Sequence, residues 1–203
     1  MLNLIRKDLL SLRFYIAAGL LYVVIFGTFA FTPTMTGAFP AILIPLYATH
    51  IELRYKSMLF VGSLPVRRSQ VVMAKYGSAF IYLVLGFLLT LVLQAVHRYG
   101  LDRSFPITTF DLAVAAALVM LFTSLYYPIQ YALGSRNSTT VSFVLIFLTI
   151  AASGWIGNVA NQLSLEPSTE IRLIVGLPLA GVALMCVSYR ISIAIFLRKD
   201  LEA

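Results

Sequence analysis

Charge is scarce in this chain: only 11% of its 203 residues are Asp, Glu, Lys or Arg, against 60% that are hydrophobic. A soluble domain carries about 25% charged residues, so a water-soluble globule is excluded. A mean hydropathy of +0.92 marks a polytopic membrane protein. Cysteine occurs once, as Cys186 inside an apolar run, which rules out an intrachain disulfide. Histidine occurs only as His50 and His97, and no Cys/His cluster has metal-ligand spacing, so no metal site is expected. The phosphate loop G-x-x-x-x-G-K-[ST] is missing, so these residues do not hydrolyse nucleotide by that route. A His-Glu-x-x-His helix is missing too, and Ser63 and Ser153 lack a base, which speaks against intramembrane hydrolysis. Ionisable residues at mid-membrane depth are nearly absent, unlike in proton- or sodium-coupled carriers. A permease driven by another subunit needs no coupling ion of its own.

The charge that is present is mostly basic, with a formal net charge of +7. The basic residues fall in short loops between apolar runs, the pattern of a topology signal rather than of nucleic-acid binding. Six apolar runs predict spans at about 14–32, 38–58, 76–96, 110–133, 140–156 and 171–189. With both termini on one face, that face holds twelve of the fifteen Lys and Arg residues and the other keeps Arg98, Arg103 and Arg172. The asymmetry predicts both termini in the cytoplasm.

Ahead of the first span, residues 1–13 place Leu2, Ile5, Leu9 and Leu12 at helical spacing among Arg6, Lys7 and Arg13. This predicts a retained amphipathic helix lying in the interface plane. A cleaved signal peptide fits less well, because Asp8 and the lack of an A-x-A site oppose it. The second span contains Pro40 and Pro45 and turns polar from His50; proline in a membrane helix frees a carbonyl that neighbours must satisfy. Near its end the fourth span carries Tyr126, Tyr127 and Pro128, and a polar loop at 157–169 precedes the sixth. The sixth span's helical pattern continues through Arg190 towards a charged tail. Asp111 and Arg172 sit near span ends and read as interfacial anchors. Small-residue pairs at four-residue spacing, Ala113/Ala117, Ser153/Gly157 and Gly176/Ala180, are expected to pack helices within the chain.

The longest polar interruption is 52–76, ELRYKSMLFVGSLPVRRSQVVMAKY, with Arg54, Lys56, Arg67, Arg68 and Lys75 against a single acid, Glu52. Pro65 suits a first helical position, with Ser63 or Leu64 before it as cap. Val66, Gln70, Val71, Met73 and Ala74 are expected to form one side of a short helix, opposite Arg67, Arg68 and Lys75. A charged amphipathic helix between two spans is a place where a soluble partner can grip.

The lead-in LNLIRKDLLSLR, the 52–76 stretch, the six spans and the tail pattern S-x-x-I-F-L-R-K-D-L together resemble the membrane permease subunits of bacterial ATP-binding-cassette type 2 exporters. The nearest branch in appearance has small six-span permeases with no nucleotide-binding domain. The resemblance implies an all-α integral membrane protein of the bacterial cell membrane, with an N-terminal elbow helix at 1–13 and a cytoplasmic coupling helix at about 65–74. It implies that Pro65, Arg67, Arg68, Gln70 and Lys75 belong to the ATPase-coupling segment, with Glu52 at the junction to the span before it. Its expected partners are an ATP-binding-cassette ATPase subunit, a second permease (homo- or heterodimer) and membrane lipids. No cofactor is expected in this chain, ATP and Mg being bound by the ATPase, and the permease itself is not expected to be an enzyme. Fourteen Phe and eleven Tyr with few charges suit an amphipathic or hydrophobic cargo such as a peptide, toxin or drug. The competing reading is a stand-alone membrane interaction or immunity protein.

Overall fold

A computed structural model describes residues 38–39, 41–47, 49, 68–100, 108–133, 138–163 and 167–198. The expected elbow at 1–13, the first span at 14–32 and the polar end of the second span lie outside these residues. Four long helices are described: α1 (Arg68–Gly100), α2 (Thr109–Leu133), α3 (Ser138–Leu163) and α4 (Pro167–Arg198). Residues 38–39, 41–47 and 49 are helical as well. All described secondary structure is therefore helical. Among the described residues, three stretches are long and apolar enough to cross a membrane, Ser69–Val92, Thr109–Leu133 and Thr169–Arg198, with a shorter apolar run at Thr140–Ile156.

α2 is the core helix. Its middle is buried on almost every side, from Ala113 through Tyr127, where only Leu121 and Leu125, four residues apart, are exposed. A helix that is apolar all round belongs in such a place. Its start is fixed by a reciprocal cap. Thr108 Oγ1 accepts from the Asp111 amide at 3.1 Å, while an Asp111 carboxylate oxygen accepts from the Thr108 amide at 3.0 Å and its hydroxyl at 2.8 Å. This is a capping box with Asp in the third helical position. Asp111, expected only as an interfacial anchor, thus has a defined local task.

α2 and α4 form the most extensive helix pair, and α1 and α3 each pack less extensively against this pair or one of its members. α4 turns a narrow stripe towards the interior: Gly181, Met185, Ser188, Ser192 and Phe196, at spacings of four, three, four and four. Leu177, Tyr189, Ile193 and Ile195 flank this stripe half-buried, whereas Ile171, Val175, Leu179, Val187 and Ile191 face outward. α3 shows the same inverted arrangement. Ser142, Leu145, Thr149 and Ser153 are buried, whereas Phe143, Phe147, Leu148 and Trp155 are exposed. The Thr149 and Ser153 hydroxyls bond back to the carbonyls of Leu145 (2.7 Å) and Ile150 (2.8 Å), so they enter the bundle already satisfied. Small hydroxyl residues inside and large apolar ones outside is what hydrocarbon surroundings favour, because lipid gives no hydrophobic drive to bury a phenylalanine.

Helix ends depart from the apolar runs that predicted them. The structure carries α3 to Leu163 and starts α4 at Pro167, so much of the expected 157–169 loop is helical. Hydropathy marks the thickness of hydrocarbon, and a helix can continue into the polar interface; Pro167, lacking an amide hydrogen, suits a first helical position. α4 runs to Arg198, as its pattern beyond Arg190 foretold. α1 is continuous from Arg68, with no break between the expected coupling segment and the expected span at 76.

Among the small-residue pairs, Ala113 is buried and Ala117 half-buried on α2, whereas Gly176 and Ala180 lie outward, which corrects the expectation of intramolecular packing for that pair. The close approach is one residue further on. A Cβ added to Gly181 would stand 2.8 Å from Met120 Sδ and 3.0 Å from Met120 Cβ, while one on Gly176 would meet nothing within 4 Å. Gly181→Ala is therefore expected to lower stability by about 1–3 kcal/mol, and Gly176→Ala to leave it unchanged or slightly raised. Thermal unfolding of the two purified variants in detergent checks the contrast.

Candidate functional site

The polar centre of the bundle is built on Tyr76, which follows Lys75 at the end of the 52–76 stretch. Val72, Tyr76, Ala79 and Leu83 recur at spacings of four, three and four, so they share the inward face of α1, and all four belong to the core. Tyr76 is 6% exposed. Its ring lies 5.1 Å from that of Tyr127 on α2, tilted by 59°, and 5.6 Å from that of Tyr189 on α4, edge-on at 79°. Such edge and tilted contacts satisfy the ring quadrupoles and add about 0.5–1.5 kcal/mol per pair beyond burial.

The hydroxyl of Tyr76 lies 2.6 Å from Ser188 Oγ and 2.8 Å from Ser192 Oγ, both on α4. Ser188 Oγ in turn donates to the carbonyl oxygen of Ser124 on α2 at 2.5 Å. Pro128 explains why that carbonyl is available. In an unbroken helix the Ser124 carbonyl would accept from the amide of residue 128, and proline has none. The neighbouring helix supplies the missing donor, as membrane helices require. A carbonyl only accepts, so the single Ser188 hydroxyl hydrogen is committed to Ser124. Ser188 must then accept from Tyr76, and Tyr76 from Ser192. The result is a one-way relay, Ser192 to Tyr76 to Ser188 to Ser124, which joins α1, α4 and α2.

The residues expected to couple to a partner are placed differently. Glu52, Pro65 and Arg67 lie outside the described residues, and Arg68 is the first residue of α1. Gln70 is exposed and Met73 is 50% exposed, whereas Val71, Val72, Ala74 and Lys75 are buried, Lys75 at 8%. The apolar side expected for this segment is thereby corrected. The inward face combines Val71, Val72, Ala74 and Lys75 with Tyr76, and Gln70 and Met73 face away from it. Continuous α1 geometry sets these faces, and the packing of Val72 and Tyr76 fixes its rotation. Ser124, Ser188 and Ser192 were not singled out by sequence reasoning. Two signals could have found them: Ser188 and Ser192 stand four apart on an apolar helix, and Ser124 is four residues before Pro128. Among the described residues no cluster of His, Cys, Asp or Glu could hold a metal ion.

Residues 3–197 match the family model described as ABC-2 family transporter protein. The chain belongs to that family. No curated protein and no solved structure matches it. The resemblance carried by the lead-in, the 52–76 stretch and the tail is thereby borne out, and the chain is a multi-pass membrane permease component of an ABC transporter. Within this ABC-2 chain, the Tyr76 relay joins the helix that begins within the basic stretch to the most extensively packed pair in the described bundle. Nothing in the relay supplies a nucleophile or a base to a substrate; its chemistry is that of holding helices in register.

The origin of the relay is testable by a double-mutant cycle. Ser188→Ala leaves the Ser124 carbonyl without a donor and is expected to cost about 1–3 kcal/mol. Pro128→Ala restores an amide at 128 that can reach that carbonyl, so Ser188→Ala should cost less in the Pro128→Ala background. Unfolding in detergent measures all four combinations, and equal costs in both backgrounds would contradict the assignment.

Proposed function

We propose that the chain is the membrane-spanning permease subunit of an exporter, driven by ATP hydrolysis on a separate ATP-binding-cassette ATPase subunit. The observation that carries this reading is the family match over residues 3–197 in a stretch with no phosphate loop. Transport by this family needs a nucleotide-hydrolysing partner, and these residues do not provide one. ATP and Mg are then bound by the ATPase, and a second permease, identical or related, completes the pathway.

The ATPase docks on the 52–76 segment, with Arg67, Arg68 and Gln70 towards it, Pro65 at the start of the docking helix and Glu52 at its junction with the preceding span. The exposure of Gln70 supports this orientation. Lys75, buried at 8%, serves the same segment from inside, where it helps fix the root of α1. Both termini and this segment face the cytoplasm of a bacterial cell, on the strength of the twelve-to-three split of basic residues. An amphipathic or hydrophobic cargo, such as a peptide, toxin or drug, suits the aromatic-rich and charge-poor composition.

Reversing the charge at Arg67 and Arg68 together is the direct test. The wild-type chain, affinity-purified from its native membranes, is expected to bring down an ATPase subunit with Mg-dependent ATP hydrolysis. Arg67→Glu/Arg68→Glu is expected to lose most of that subunit while inserting normally in the membrane. Full retention of the ATPase by the double variant would remove the docking assignment, and its absence from the wild-type preparation would remove the permease–ATPase reading.

A further inference from the structure

We propose that the Tyr76 hydroxyl is a positioning group for energy coupling: it registers α1 against α4, so that movement delivered at 52–76 reaches the α2–α4 pair. The proposal rests on the ATPase-driven reading above and adds to it the route by which force leaves the docking segment.

Three observations converge on this residue. The first is its place in the chain. Tyr76 lies in the same continuous helix as Gln70, six residues further on and without an intervening glycine or proline. A push on the first turns of α1 therefore arrives at Tyr76 through a rigid rod. The second is the unequal packing of the bundle. α2 and α4 are joined along their length, whereas α1 shares far less surface with either. The stiff body is the α2–α4 pair, held close at Gly181 and Met120, and its boundary with α1 is the thinner contact across which movement is to be transmitted. The third is the kind of contact. Across this thinly packed boundary the relay supplies two short, directional bonds, Tyr76 to Ser188 at 2.6 Å and Ser192 to Tyr76 at 2.8 Å.

Apolar packing along α1 tolerates small slides, because dispersion contacts are numerous and individually weak. Hydrogen bonds do not, since they weaken steeply with distance and angle. The hydroxyl thus converts a loose contact into a register with two discrete conditions, engaged and released. Its anchorage has the same property. Ser188 is held in orientation by the Ser124 carbonyl at 2.5 Å, an acceptor that exists because Pro128 interrupts α2. Through that bond a displacement of Tyr76 is passed to both members of the stiff pair.

The test uses the permease in complex with its ATPase, reconstituted in lipid. Cys186, exposed on α4, carries one spin label, and Val84→Cys, at an outward position on α1, carries the other. The α1–α4 label distances are measured without nucleotide and after trapping with Mg-ATP and orthovanadate. With Tyr76 intact, trapping is expected to shift the distance distribution. With Tyr76→Phe, which keeps the ring contacts and removes the hydroxyl, the shift is expected to be lost while ATP hydrolysis persists. Ser188→Ala should behave in the same way, and Ser188→Thr, which retains a hydroxyl, should restore the shift. If Tyr76→Phe does not assemble, Ser192→Ala removes one relay bond and is measured in its place, with loss of the shift again expected. An unchanged shift in the hydroxyl-free variants, or no shift with Tyr76 intact, overturns the proposal while ATP hydrolysis by the complex leaves the functional reading standing. A wild-type preparation with no ATPase activity overturns the functional reading and the coupling role together.

Discussion

A proline in the middle of a membrane helix creates a debt that water cannot settle. At Pro128 the debt falls on one oxygen, the carbonyl of Ser124, and the Ser188 hydroxyl from α4 answers it at 2.5 Å. In hydrocarbon an unsatisfied backbone group costs several kcal/mol, so this single acceptor constrains more than its own helix. It fixes the rotation of α4, because Ser188 must face α2. It uses the only Ser188 hydrogen, which obliges Tyr76 to donate and Ser192 to complete the series. Three helices are thus tied together by one missing amide.

The remainder of the bundle is consistent with a solvent that is itself apolar. Phe143, Phe147 and Trp155 on α3, and Val175, Leu179 and Val187 on α4, face outward at no hydrophobic cost, while serines, threonines and glycine occupy the interior seams. Association then depends on shape and on hydrogen bonds, which average about 0.6 kcal/mol between membrane helices with a maximum near 1.7 kcal/mol. The intimate fit of Gly181 over Met120 and the aromatic cluster around Tyr76 are therefore principal sources of cohesion. The family membership places this architecture in a transporter, where helices that cohere by fit can change partners without exposing a hydrophobic core to water.

Much of this was legible in the residues. Long apolar runs located α2 within one residue at its start, because a helix crossing hydrocarbon must be apolar for about twenty residues. Membership of the ABC-2 family was legible too, through the basic 52–76 stretch and the lead-in. Helix ends were less so: α3 continues through Asn158, Asn161 and Gln162, polar residues that read as loop although a helix can carry them into the interface. The inward face of early α1 was misread because Lys75 counted as a surface charge, whereas Val72 and Tyr76 set the rotation and carry Lys75 inside with them. The relay itself was hidden for a different reason. Serines in an apolar run are common, and only the pairing of Pro128 with a position four residues earlier gives Ser188 its meaning, which needs knowledge of which helix lies opposite.

The crossing of α4 over Gly181 has a mechanical corollary. A glycine seated against a methionine side chain brings two helices close and resists their sliding, so α4 keeps its place on α2. Ser188 lies seven residues along α4 from that point, about 10 Å at 1.5 Å per residue. So close to a fixed contact, its hydroxyl stays with the pair, and a shift of α1 by about 1 Å falls on the Tyr76 bonds, enough to carry them beyond the roughly 3.2 Å at which such bonds are normally found. Small shifts of α1 thus become all-or-none events at the hydroxyls. The geometry gives this permease a fixed stop at Gly181 and a trip point at Tyr76.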